Sequence, residues 1–65
     1  MDAKVIGKML RDLRGDRTIK EVSEDLGISA SALNMYELGE RIPRDEVKVM
    51  LSKYYGFKIE KFFTL

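Results

Sequence analysis

Apolar residues recur at helical spacing through the chain, and no alternation lasts long enough to make a strand. Val5, Ile6, Met9, Leu10 and Leu13 form the i, i+1, i+4, i+5, i+8 stripe of an amphipathic helix over Asp2 to Arg14, with Lys4, Lys8, Arg11 and Asp12 off the stripe. Gly7 inside that stretch costs ~1 kcal/mol relative to Ala, a cost compatible with close approach of another helix. Gly15 and Asp16 break the pattern. Thr18 followed by Glu21 is a capping box, in which each side chain can satisfy an orphan backbone donor, so a second helix starts there. Ile19, Val22 and Leu26 keep its apolar spacing, and Gly27 can end it in the left-handed conformation. Ile28 reads as an apolar plug and Ser29 as the N-cap of a third helix, which reaches Leu38 with Gly39 as terminator. Two short helices joined by a tight turn containing Gly are a helix-turn-helix, here over residues 18–38.

On a wheel of ~100° per residue, Leu33, Tyr36 and Ala32 share the arc of the third helix that faces a core, with Glu37 at its border. Ser31, Asn34 and Met35 lie opposite, with Ala30 at the edge. That outward face is small and uncharged, the shape a major groove admits. After the polar pair Glu40-Arg41, the run Ile42-Pro43-Arg44-Asp45-Glu46 suits a helix start, with Pro at the first helical position and acids near the positive end. Val47, Met50, Leu51 and Tyr54 are the inward positions of this fourth helix, Lys48 and Lys53 the outward ones, and Gly56 closes it. Phe57 anchors the following turn. Ile59, Phe62 and Phe63 then keep helical spacing in a last short helix, for which Lys58 is a poor N-cap. The expected fold is all-α, a compact five-helix bundle in a single domain spanning residues 1–65.

Composition narrows function mainly by exclusion. With no Cys and no His among 65 residues, disulfides, zinc-finger ligands and the commonest general base are absent, and no metal or cofactor is expected. No run approaches the ~20 apolar residues of a membrane span, and no signal peptide is apparent, so an intracellular, cytoplasmic protein is the simplest expectation. An enzyme is not expected: there is no phosphate-binding Gly-rich loop, and Asp45-Glu46 diverge on a helix and serve its start. The net charge of +1 gives no global signal for nucleic acid. Distribution matters more: from Ser29 to Leu38 the only charge is Glu37, with Arg41, Arg44 and Lys48 just downstream.

Four segments in order, IGKMLRDLR, the capped helix with LGIS at its turn, ALNMYELGERIPR and LSKYYGFKIEKFF, resemble the small five-helix DNA-binding domains of the phage repressor and Cro family. These xenobiotic-response-element-type regulators have the lambda-repressor-like fold, and the resemblance covers Ile6 to Phe63. It implies a bacterial or phage-encoded, homodimeric transcriptional regulator, a repressor occupying double-stranded DNA, with no small-molecule ligand. Carried over by position, it implies base contacts from Ala30, Ser31, Asn34 and Met35. It implies phosphate contacts from Thr18, Lys20, Arg41 and Arg44 and from the amides opening the second and fourth helices. It also pairs Arg14 with Glu37, a contact that would set the angle of the recognition helix.

The chain departs from the family pattern at Ile19, where many relatives use Gln to contact phosphate, and at Leu38 and Glu40, where polar or basic residues are common. The connection after Arg14 is also shorter than in many relatives. Ile19, Leu38 and Glu40 favour an alternative, a protein-interaction module of antitoxin or anti-repressor type that keeps the fold; the short connection mainly affects packing. For the DNA-binding reading, Phe62, Phe63 and Leu65, with Phe57 and Ile59, are the expected dimer interface, since they offer more apolar area than so short a chain obviously buries; the alternative is that they complete the core of the monomer.

Overall fold

The computed structural model describes residues 1–64, and Leu65 lies outside the described residues. Helices α1 (Ala3–Arg14), α2 (Ile19–Leu26), α3 (Ala30–Glu37) and α4 (Asp45–Tyr55) are followed by a closing 3-10 helix, Ile59–Thr64. The described chain is thus all-helical, as the periodicity predicts.

Local chemistry sets the helix starts. The Asp2 carboxylate accepts from the amides of Lys4 at 2.9 Å and Val5 at 3.3 Å, which caps α1. Thr18 Oγ1 accepts from the Glu21 amide at 3.0 Å, and Ser29 Oγ accepts from the Ala32 amide at 3.0 Å. The return bond of the capping box, from the Thr18 amide to the Glu21 side chain, is not formed; one half of the box suffices. Gly27 sits at φ 72°, and the Ile28 amide behind it donates to Ser23 O at 3.0 Å, closing the end of α2. The turn into α3 is therefore built from backbone bonds and one hydroxyl.

The core joins Ile6 and Leu10 of α1, Tyr36 of α3, Leu51 of α4 and Phe62 of the closing helix, with Met9, Leu26, Ile28, Ala32, Val47, Tyr55, Phe57 and Ile59 packed around them. α1 packs chiefly on α3, and α2 packs on both α3 and α4. At Gly7 the approach of α1 to α3 is backbone to backbone. A Cβ there would stand 2.5 Å from Glu37 O and 2.7 Å from Tyr36 O. The glycine thus costs helix propensity and permits this close contact.

The structure corrects the sequence reading in several places. Only the inner part of the α1 stripe is buried: Val5 and Leu13 are 44% and 36% exposed, because α3 covers just one flank. Pro43 is not the first residue of α4; it precedes the N-cap, Arg44, and is itself buried. Lys48 is not outward. The closing helix returns along its side of α4, leaving its Nζ 5.0 Å from the centroid of the Phe63 ring and 3.5 Å from the Asp45 carboxylate. Its alkyl stem is buried and its charge is held at the edge. Phe62, expected at a dimer interface, is 0% exposed and belongs to the core, edge-to-face with Phe57 at 5.3 Å between centroids. Phe63, the next residue, is 59% exposed.

Candidate nucleic-acid interface

The face of α3 is decided by what its other side is attached to. Leu33 and Tyr36 are buried and Ala32 packs on the core, so Ala30, Ser31 and Asn34 project outward and are exposed. Met35 is half-buried, which leaves it less reach than the others. No charged side chain interrupts this face, since Glu37 turns inward.

Glu37 is held by Arg14 across 23 residues of chain. Arg14 Nε donates to both carboxylate oxygens, at 2.9 and 3.2 Å, and its Nη2 donates to Oε1 at 3.0 Å. This fork joins the last residue of α1 to the last residue of α3. The Glu37 side chain is only 5% exposed, while Arg14 keeps one edge open to water at 18%. The hydrogen bond that Arg14 donates to Glu37 raises the Arg14 pKa further above its ordinary value, outweighing the opposing effect of burial. Arg14 also donates through Nη1 to Arg17 O at 2.7 Å, which draws in the α1–α2 connection.

Glu37→Gln is expected to lower stability by about 1–2 kcal/mol, because Arg14 keeps its charge while losing the anion it faces, with water reaching its exposed edge. Urea denaturation together with DNA binding checks this. Unchanged values in both would remove the pair from any role in holding α3.

Sequence reasoning missed a second brace. Arg17 Nη1 donates to the Tyr54 hydroxyl at 3.0 Å, and that hydroxyl donates to the Asp25 carboxylate at 2.7 Å. The Arg17 guanidinium also lies 5.2 Å from the Tyr54 ring centroid and 5.5 Å from that of Tyr55. The chain of bonds links the α1–α2 connection, α4 and the end of α2. The carboxylate of Asp25 holds the Tyr54 phenol protonated above its usual range. No local spacing signals such a contact, since the partners are 29 and 37 residues apart. A further tie, Lys4 Nζ donating to Leu38 O at 3.1 Å, fastens the start of α1 to the end of α3.

The groups expected at phosphates are all exposed. Thr18 stands at the N-cap of α2 and Lys20 in its first turn; the Thr18 oxygen accepts from Glu21 but its own hydrogen stays free to donate. Arg41 and Arg44 are exposed in the loop between α3 and α4. Arg44 caps α4 without any side-chain bond, so the first amides of α4 remain for an outside acceptor. Glu40 is exposed in the same loop, while Ile19 is half-buried and has no polar group to offer.

A capped α2, a three-residue turn Gly27-Ile28-Ser29 and a braced α3 with a clear outer face define a helix-turn-helix DNA-binding domain. The helix-turn-helix family model matches residues 8–62, and the chain belongs to that family, of Cro/C1 type, whose members are DNA-binding transcription regulators. No curated protein and no solved structure matches the chain. Among the described residues no helix is long and apolar enough to cross a membrane.

Proposed function

We propose that this regulator is a homodimeric repressor that reads a two-fold-symmetric operator by laying α3 in the major groove. The observation that carries this reading is the outer face of α3, where Ala30, Ser31 and Asn34 are exposed and uncharged on a helix whose other side is clamped to the core. Asn34 has the amide geometry to pair with adenine N6 and N7, Ser31 can donate or accept, and Ala30 and the tip of Met35 can meet a thymine methyl. Thr18, Lys20, Arg41 and Arg44 supply phosphate contacts that position the domain without choosing sequence. Two recognition helices must lie ~34 Å apart to read successive turns of one DNA face, which is why a dimer belongs to the proposal. Its interface is the C-terminal edge bearing Phe63; Phe62 is unavailable, and Leu65 lies outside the described residues.

Selection of bound sites from a randomised duplex library at near-physiological salt tests the reading. A palindromic site rich in A·T pairs is the expected result. Asn34→Ala should weaken it about tenfold to a hundredfold and relax one position in each half-site, in keeping with the ~1–3 kcal/mol of a bidentate base contact. Affinity should also fall steeply with added salt. Exposed Leu38 and Ile42, beside the recognition helix, favour a second reading in which that loop binds a protein partner. Absence of any enriched site, with the chain folded, selects that reading.

A further inference from the structure

The outer flank of α1 bears apolar side chains that the described residues cover only in part. Ile6, Gly7 and Leu10 turn inward, whereas Val5 and Leu13 are exposed and, with half-buried Met9 and with Lys8 and Asp12, form one open surface. At i, i+4 and i+8 the three apolar side chains make one continuous ridge, ~12 Å long at 1.5 Å per residue. Lys8 and Asp12 stand one turn apart along a single edge of this ridge. Both are exposed, and neither belongs to an ion pair; among the described residues those are Arg14–Glu37 and Lys48–Asp45.

We infer that this face docks on the same face of a second copy of the chain, with the two α1 helices antiparallel. The charge pattern identifies the occupant. A two-fold axis crossing the helices near Leu10 reverses their direction but keeps each charged edge against its counterpart. Lys8 then meets Asp12 of the second copy, and Asp12 meets Lys8. Val5 and Leu13 exchange ends of the ridge, and Met9 packs near the axis. One positive and one negative group, equally spaced about that axis, are complementary to themselves. A parallel pairing gives no such crossing of charges.

This face shares no residue with the outer side of α3 or with the C-terminal edge. It therefore goes beyond the operator-bound dimer proposed above, adding a contact through which two DNA-bound dimers on adjacent sites can join. The contact is small, well under the ~800 Å² per partner of a standard interface, so it is weak in free solution and counts when DNA holds the copies close.

Sedimentation of the full chain carrying Phe63→Ser, at low salt and without DNA, isolates this contact from the C-terminal edge. Concentration-dependent dimerisation is expected, and Lys8→Asp or Asp12→Lys added to that background should each weaken it at least tenfold. An equimolar mixture of the two charge variants should regain association, because one then presents a wholly acidic edge and the other a wholly basic one. Circular dichroism verifies that each variant is folded. A chain that stays monomeric to ~1 mM, a dimer indifferent to either charge change, or a mixture that fails to recover would each overturn the inference. None of these readings depends on DNA, so they leave the operator proposal to its own test.

Discussion

Phe62→Ser is expected to leave the chain unfolded at 25 °C, not folded and monomeric. The ring is wholly buried among Ile6, Leu10, Tyr36 and Leu51 and meets Phe57 edge-on. Truncating a buried Phe to Ala costs about 3–5 kcal/mol, and Ser adds a hydroxyl that an apolar site cannot satisfy. A chain of 65 residues holds only about 3–10 kcal/mol in total. Phe63→Ser, one residue on, removes an exposed ring and should change stability by less than about 1 kcal/mol. Far-ultraviolet circular dichroism of the two variants, with urea titration of whichever is folded, makes the comparison. A well-folded Phe62→Ser protein would show that the ring is not part of the core.

Gly7→Ala should be strongly damaging for the addition of a single methyl group. Its Cβ would approach Glu37 O to 2.5 Å, and the neighbouring obstacle, Tyr36 O, is also backbone, so no side chain can swing aside. Contacts between carbon and a carbonyl oxygen normally begin near 3.3 Å, and α1 and α3 must separate by most of the difference. Overpacking of this type costs about 1–3 kcal/mol and here reaches the upper end, while the better helix propensity of Ala returns about 1 kcal/mol. The net loss is about 2 kcal/mol, or roughly 10 °C in melting temperature for a domain of this size. Because the displaced element is α3 itself, DNA affinity should fall in the residual folded fraction as well. Arg11→Ala, exposed on the same helix, is the control. A Gly7→Ala protein melting at or above the wild type would remove the close approach from the account of the fold.

What was legible in the sequence was what depends on near neighbours. Thr18 and Ser29 announce helix starts because a cap acts within three residues, and Gly27 announces an end for the same reason. Leu33 and Tyr36 mark the inner side of α3, and so Ser31 and Asn34 its outer side, because a helix wheel is a local object. Lys48 and Phe62 were misplaced since their burial depends on where the closing helix returns, a fact no wheel of α4 contains. Val5 and Leu13 were placed inside for the complementary reason: the stripe records apolar residues, not whether a neighbour arrives to cover them. The Arg17–Tyr54–Asp25 chain was invisible because its members meet only after the bundle has closed. The joining of Arg14 to Glu37 was reachable only through family resemblance, with the inward position of Glu37 on the wheel as local support.

The braces on the helix-turn-helix come almost wholly from outside it. Arg14, Arg17, Tyr54, Lys4 and the bare backbone at Gly7 all lie beyond residues 18–38, yet they determine how α2 and α3 stand. Cut free, the segment would be two helices of eight residues each, below the ~12–15 at which an isolated helix persists in water. The recognition surface is consequently not portable. Transplanting it into another bundle would require a glycine, two arginines, a lysine and a tyrosine at matching positions in the host, and a new operator preference is better sought by changing the outer residues of α3 in place.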